Sequence, residues 1–502
     1  MFGRRSLLIV VSMIVSSILS LVGLFFMMHY LGEDSYGSLI WLLSTLGTLN
    51  AVADLGFGSA HIKRVSEGMD ENDCISTFIA IKLVLTGFMV IFVFASLLLW
   101  TNVMGGSLSP GAWGFVILFV LYYVMYDIAS IATVTFTARM ETTKSQLVVL
   151  VDPLIRIPLI IFISINHMTS NDLAYAYVLA ALGVLLVSIF LLRRDKLHWK
   201  RPTLFNSYLK FTLPIALISV AGVVAFNLDK ILIGYFDSLG SVGIYTAAQT
   251  LLGTFGVVGI AVATLAFPSF SKFHTDGDIE SIRRMTHAAE RYIAMIGIPV
   301  VTLIILFPTE VYTALFPNAN FSGGEAMRFL AIAMMLTLLN QVHTSQILGV
   351  NRPDISAKIS WLTFIVNVLL LLLFIPKELF GVKMLGMSYT GAAIAGALTA
   401  LFTFFSVRLV VKNLTGTGTN PRIFRHIIAG IVTGGALEAL NLVFPLSGIF
   451  RLILFAAVTL LVFFAVLTAL KEFTRADIVY FLDLLSPSKM YSYMGDEMKN
   501  KK

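Results

Sequence analysis

The stretch SLLIVVSMIVSSILSLVGLFFMM at residues 6–28 carries no charge and is broken only by serines and one glycine. A helix that crosses a bilayer takes about 20 largely apolar residues, so this run is long enough to span one. Arg4 and Arg5 in front of it mimic a signal peptide. The apolar core is too long for that role and lacks a clear small-residue cleavage site, so it is expected to stay in place as the first span.

Similar runs begin near Gly37, Ile75, Trp113, Leu147, Leu173, Tyr208, Gly243, Ile293, Met327, Ile359, Met387, Ile423 and Ile449. Together they predict an all-α integral membrane protein with about fourteen transmembrane helices; polar residues interrupt the starts of the seventh and ninth. Composition agrees. Of 502 residues, 58% are hydrophobic and 13% charged, whereas an ordinary soluble domain is about 25% charged. The net charge of +7 does not point to nucleic acid, because the basic residues fall in short clusters between apolar runs and never gather on one face. The single Cys74 excludes an intramolecular disulfide and a cysteine-rich metal site. No nucleotide-binding glycine loop, HExxH spacing or nucleophile elbow is present, and the longest loops are too short to hold a catalytic domain. The chain is therefore expected to be no enzyme and to carry no cofactor or metal.

Loop charge orients the spans. One set of alternate loops holds Lys63 and Arg64, then Arg139 and Lys144, then Arg193, Arg194, Lys196, Lys200 and Arg201. It continues with Lys272, Arg283, Arg284 and Arg291, with Arg352 and Lys358, and with Lys412, Arg422 and Arg425. The opposite set has only Lys377 and Lys383, with Arg328 and Arg451 at its borders. One missed or invented span would reverse this alternation partway, and it never reverses. The basic set and both termini are expected to be cytoplasmic, in a plasma membrane. In the tail, residues 475–485 suit a short amphipathic helix on the membrane surface and Lys499, Lys501 and Lys502 suit anionic headgroups, with a disordered solvated end as the alternative.

Hydropathy divides the chain into a six-helix bundle over 1–195, a second over 203–412, a further helix pair over 422–471 and a cytoplasmic tail over 472–502. Residues 31–37, LGEDSYG, and 239–245, LGSVGIY, join corresponding spans and place a glycine at the start of the next helix. Two six-span halves of like orientation would be parallel repeats.

A charge at the bilayer centre costs roughly 2.5–3.5 kcal/mol even on the insertion scale, so it needs a partner or water. Lys82, Asp127, Asp152, Arg156, Asp229 and Lys230 all lie inside predicted spans. Asp152 and Arg156 share a helix face at i, i+4 and can form an ion pair. Lys82 finds a candidate in Asp127 on the adjacent span. Asp229 and Lys230 point in neighbouring directions, so each is expected to need another partner. The alternative to such pairing is a wet cavity in which Lys82 and Arg156 attract an anion and the three aspartates tune charge or carry ions. Pro153 and Pro158 bracket Arg156, and Pro214 interrupts the start of span seven; each removes a helix hydrogen bond. Tyr122 and Tyr126 stand one turn apart beside Asp127, as packing or as a sugar platform. Asn340, Gln341, His343, Thr344 and Gln346 make one end of span ten polar, as a gate or as interhelical bonding. Ser12, Ser16 and Ser20 form a stripe read as close helix packing.

Three stretches carry a family likeness: YLGEDSYG at 30–37 followed by DLGFG at 54–58, NLDKILIG at 227–234 followed by VGIY at 242–245, and QILGVNR at 346–352. Their order and spacing resemble, from end to end, the polysaccharide-transporter or oligosaccharide-flippase family, whose superfamily includes MATE multidrug exporters and lipid II flippases. The resemblance implies two pseudo-symmetric six-helix bundles in a MATE-like V, plus the terminal pair, working by alternating access. It implies a polyprenyl-diphosphate-linked oligosaccharide as cargo, flipped from the cytoplasmic to the external leaflet. Arg156, Lys82, Lys230 and Tyr126 would line its path, with Asp127, Asp152 and Asp229 coupling ions or tuning charge. Membrane lipids and glycan-assembly proteins are the implied partners, nucleic acid is not, and the chain is expected to act as a monomer. Lipid II flippases carry arginine in the first span, where this chain offers serines, which lowers that reading. A MATE-like exporter of organic cations, driven by protons or sodium, is the competing function, and a scaffold subunit of a glycan-assembly complex a third.

Overall fold

The computed structural model describes residues 2–102, 110–194, 200–317, 323–418, 420–474 and 477. The expected surface helix at 475–485 (Asp477 apart) and Lys499, Lys501 and Lys502 lie outside these residues, as do Lys196 and the loop around Gly105.

The helices are α1 (Phe2–Tyr30), α2 (Gly32–Asn50), α3 (Phe57–Ser66), α4 (Glu71–Asn102), α5 (Pro110–Ala138), α6 (Thr142–Ile165), α7 (Ser170–Arg193) and α8 (Phe205–Phe236). They continue as α9 (Leu239–Thr275), α10 (Ile279–Leu306), α11 (Pro308–Leu315), α12 (Gly323–Gly349) and α13 (Pro353–Phe374). A two-stranded hairpin, β1 (Glu378–Leu379) and β2 (Val382–Lys383), leads to α14 (Ser388–Thr415), α15 (Arg422–Val443) and α16 (Gly448–Ala469). Among the described residues, 13 helices are long and apolar enough to cross a membrane. The remaining predicted span falls on α9, a continuous helix of 37 residues. Large apolar side chains such as Ile91, Leu186, Leu369 and Leu461 are exposed, the reverse of a water-facing surface. The chain is an all-α, multi-pass membrane protein.

The ninth span departs from expectation. Hydropathy starts it near Ile293, yet α10 begins at Ile279, capped by Asp278, whose side chain accepts from the Ser281 amide at 2.9 Å. Its early turns are polar but partnered. Glu290, fully buried, accepts from Arg408 and lies 2.9 Å from His343 Nε2. Arg291 holds Glu472 at 2.7 Å and Asp477 at 2.8 Å. A hydropathy sum cannot see such partners. Nor does it announce α3 and α11, which are 10 and 8 residues long and too short to span.

Packing gathers the chain into two compact units. The first comprises Val11–Ala247 with Phe364–Ala392. In it, Phe57, Phe78, Ile131 and Tyr208 join α3, α4, α5 and α8, while Ala132, Phe136, Val148 and Val184 join α5, α6 and α7. The two turns that resemble each other in sequence meet here. A Cβ on Gly37 would overlap the Leu239 carbonyl, and one on Gly243 would overlap the Glu33 carbonyl. Trp41 covers Gly234 and donates to the Ile231 carbonyl at 3.3 Å, so α2 and α8 run closely packed.

The second unit comprises Met1–Val10, Ala248–Thr363 and Ala393–Lys502. Met295, Ala429, Phe463 and Leu467 bind α10 to α15 and α16, and Ile347, Val407 and Val411 bind α12 to α14. Part of the polar end of α12 goes into bonds to neighbouring segments, through Asn340, His343 and Gln346. Asn340 donates to the Ala400 carbonyl at 3.3 Å. Gln346 accepts from Thr286 at 3.0 Å and donates to Thr415 at 2.9 Å.

Candidate functional site

The residues expected to bind cargo or to tune charge all lie in the first unit, in three clusters, whereas the candidate gate at 340–346 lies in the second. The first centres on α6. Asp152 and Arg156 occupy its central turns and form the expected ion pair: Arg156 Nη2 donates to Asp152 Oδ2 at 2.8 Å and Nε donates to the same oxygen at 3.0 Å. The guanidinium also lies 4.8 Å from the ring centroid of Tyr177 on α7, whose hydroxyl it reaches at 3.4 Å. Pro153 has no N–H to offer the Val149 carbonyl one turn earlier, and Val149 and Pro153 both line a cavity of about 390 Å³. That cavity is also lined by Ser16 and Ser20 of α1, Tyr126, Ser130 and Thr133 of α5, and Asp152 and Arg156. Ser16 and Ser20 therefore stand in the wall of this largely apolar cavity as well as easing helix packing. Tyr126 lies 4.8 Å from Tyr122, centroid to centroid, and within hydrogen-bonding reach of Asp152.

Arg156 and Asp152 remain 18% and 14% accessible, so the pair is sheltered but not sealed. Arginine has five N–H groups, more than Asp152 and Tyr177 engage. A planar fork of this kind matches phosphate and carboxylate oxygens bidentately. The site can thus receive an anion without leaving a bare charge behind when empty.

The second cluster surrounds Lys82 of α4. Its ammonium lies 3.2 Å from Asp54 Oδ1, 3.2 Å from the Ala53 carbonyl and 3.5 Å from Asp127 Oδ1. The expected Asp127 partner is therefore present, and Asp54 adds a second carboxylate. Lys82 is 3% exposed, whereas Asp54 is about half exposed.

The third cluster corrects the sequence reading. Asp229 and Lys230 do pair, at 3.0 Å. A lysine stem of four carbons bends back over its own helix, so neighbouring directions at the backbone do not keep the charges apart. Lys230 also donates to the Phe226 carbonyl at 2.9 Å, and Tyr245 of α9 donates to Asp229 Oδ2 at 2.8 Å.

The sequence reading passed over Asp54, Tyr177 and the buried pair of Glu290 and Arg408, and named their neighbour His343 without its partner. Asp54 stood in the DLGFG motif, just before the left-handed Gly56 at φ 88° that turns the chain into α3. Arg408, a charge inside the apolar run of span twelve, was the available signal for a buried acid elsewhere. Tyr177 gave none, because a tyrosine in an apolar helix is ordinary.

The fold is that of multi-pass transporters solved before. It aligns with a lipid II flippase, MurJ, in an inward closed conformation, with a TM-score of 0.74 at 14% identity over 95% of this chain and 99% of that one. It aligns with an inward-facing MATE multidrug resistance transporter at a TM-score of 0.63 and 16% identity, over 80% of this chain and 96% of that one. Residues 2–274 match the polysaccharide biosynthesis protein family, and the chain belongs to that family. Among curated relatives, the probable low-salt glycan biosynthesis flippase Agl15 of Haloferax volcanii is 19% identical over 471 residues, covering 91% of this chain and 96% of its own.

Proposed function

We propose that the protein flips a polyprenyl-diphosphate-linked oligosaccharide from the cytoplasmic to the external leaflet of the plasma membrane, for assembly of a cell-surface glycan. The observation that carries this reading is the α6 cavity, where a sheltered arginine fork stands among tyrosines and serines. Roughly 300–1,000 Å³ is usual for a site that encloses a small ligand. A cavity of about 390 Å³ therefore suits a diphosphate with its first sugar, the rest of the glycan lying beyond it. Arg156 holds the diphosphate, Tyr126 faces the sugar, and Asp152 keeps the guanidinium neutralised and oriented between cycles. Lys82 and Lys230 act as secondary cationic contacts, reached only when their ion pairs with Asp127 and Asp229 open. The lipid tail stays in the bilayer throughout, and no chemical step is assigned.

Family membership and the Agl15 likeness support the cargo class. The repeated turns at 31–37 and 239–245 support two six-helix bundles, over 1–195 and 203–412, followed by a terminal pair. Loop charge supports both termini inside, and a single chain suffices for the path. The competing reading, export of organic cations, draws on the carboxylate of Asp152 beside Tyr122 and Tyr126. Arg156 neutralises that carboxylate, which removes the reason for a cation to enter.

Arg156→Ala is expected to reach the membrane at normal levels and to abolish glycan export, with Arg156→Lys retaining a fraction. Undiminished export by Arg156→Ala overturns the assignment. Efflux of an organic dye by the native chain, lost in Asp152→Asn, replaces it with the exporter reading.

A further inference from the structure

The hairpin between α13 and α14 plays no part in the cavity. Its strands pair antiparallel, Glu378 opposite Lys383 and Leu379 opposite Val382. Both residues of the connecting turn have positive φ, Phe380 at 52° and Gly381 at 80°. Asn-Gly is the favoured pair for such a turn, because asparagine tolerates the left-handed region and bulky side chains do not. Phe380 holds that conformation while 97% exposed, so burial within the protein does not offset the strain. Strain kept at an exposed position is a pointer to function.

The hairpin is rigidly mounted. Met384 N donates to the Lys377 carbonyl at 2.9 Å, Leu385 N to Leu373 at 3.1 Å, Gly386 N to Pro376 at 2.8 Å and Met387 N to Phe374 at 2.8 Å. The bonds to Leu373 and Phe374 fasten its base to the last turn of α13, and those to Pro376 and Lys377 close the base on itself. On α13 itself, Ile365, Leu369 and Leu373 are exposed at four-residue spacing, one stripe along a membrane-crossing helix. Leu385, bonded to the end of that stripe, is 53% exposed, and Val382 is 58% exposed. The apolar face of α13 thus runs on into the hairpin tip. Lys377 and Lys383 are exposed beside it.

We propose that this hairpin is an interfacial anchor for the lipid surface. Phe380 and Val382 insert at the boundary of headgroups and acyl chains where α13 ends, and Lys377 and Lys383 bind the phosphates of anionic lipids. Two observations favour lipid as the occupant: continuity with a membrane-facing stripe, and lysine charge opposite in sign to phosphate. Aromatic side chains at the interface and amphipathic lysines beside them are the usual means of fixing a segment at that depth.

The test uses the full chain. Cys74 is the only cysteine, so Cys74→Ser with Phe380→Cys places one environment-sensitive fluorophore at the tip, in nanodiscs of phosphatidylcholine and phosphatidylglycerol. The expected result is blue-shifted emission, poor access to iodide, and stronger quenching by a nitroxide near the headgroup than by one at mid-chain. Water-like emission with full iodide access means that the tip waits for a protein partner, and overturns the lipid assignment. Should Cys74→Ser fail to fold, Phe380→Trp in brominated lipid reads the same contact as extra quenchable emission over the native tryptophans. With Lys377→Gln and Lys383→Gln added, quenching in the anionic discs is expected to fall to the level in pure phosphatidylcholine. Equal quenching in both lipids with the native lysines present overturns the phosphate contact.

Discussion

Lys82 illustrates how a charge survives in a membrane helix: it is 3% exposed and lies within 3.5 Å of both Asp54 and Asp127. Removing one member of a buried pair leaves an uncompensated charge and costs about 3–5 kcal/mol, whereas replacing both by apolar groups is often neutral. Lys82→Met is therefore expected to lower the melting temperature in detergent by several degrees, and Lys82→Met with Asp127→Leu to recover most of the loss. If the single variant melts like the native chain, the pair is not what holds α4 to α5. Export measured on the stable double variant then tells whether the lysine touches cargo. The partnership of Lys82 with Asp127 was legible in the sequence, because the cost of burial demands a partner and adjacent spans supply one. That of Asp229 with Lys230 was not, since spacing rules treat side chains as fixed directions and a lysine stem is not fixed.

Among elements, the spans themselves were legible, since each needs a long apolar run whatever it packs against. The start of α10 was not. Its polar turns become helical only because Arg408, His343 and Glu472, far along the chain, come to meet them. Asp477 shows the strength of that docking: hydrogen bonds from Arg291 hold its carboxyl well below the ordinary carboxylate value of 3.8. A carboxyl whose folded pKa is depressed gives its stabilisation above the unfolded value and loses it only as pH falls through the folded one. Arg291→Gln is accordingly expected to melt lower than the native chain by the same margin at pH 8 and at pH 5. A margin that closes over that interval would assign the effect to another group. The repeated turns make a second prediction. A methyl on Gly37 or Gly243 meets a backbone carbonyl that cannot step aside, and overpacking of this kind costs about 1–3 kcal/mol. Gly37→Ala and Gly243→Ala are each expected to lower thermal stability. Because both open the same contact between α2 and α9, the double variant should lose less than the sum; full additivity would mean that the two contacts are independent.

For the whole molecule, hydropathy and loop charge are two separate readings of one topology, and their agreement can be tested directly. Hydropathy counts the spans without giving them a direction, whereas the alternation of basic loops gives a direction that a single miscounted span would break. Three exposed methionines mark the two sets of loops. Met69, 38% exposed, and Met140, 53% exposed, stand in basic loops; Met168, 37% exposed, stands in a loop of the opposite set. The buried Cys74 contributes little background. A membrane-impermeant maleimide applied to intact cells is expected to label Met168→Cys and to leave Met69→Cys and Met140→Cys unlabelled until the membrane is opened. Met69 and Met168 are matched in exposure, so a difference between them reports sidedness and not access. Labelling of Met69→Cys in intact cells would invert the topology and reverse the direction of flipping. Met69→Cys and Met140→Cys labelling differently would instead break the span count between them, since α4 and α5 must return the chain to the side it left.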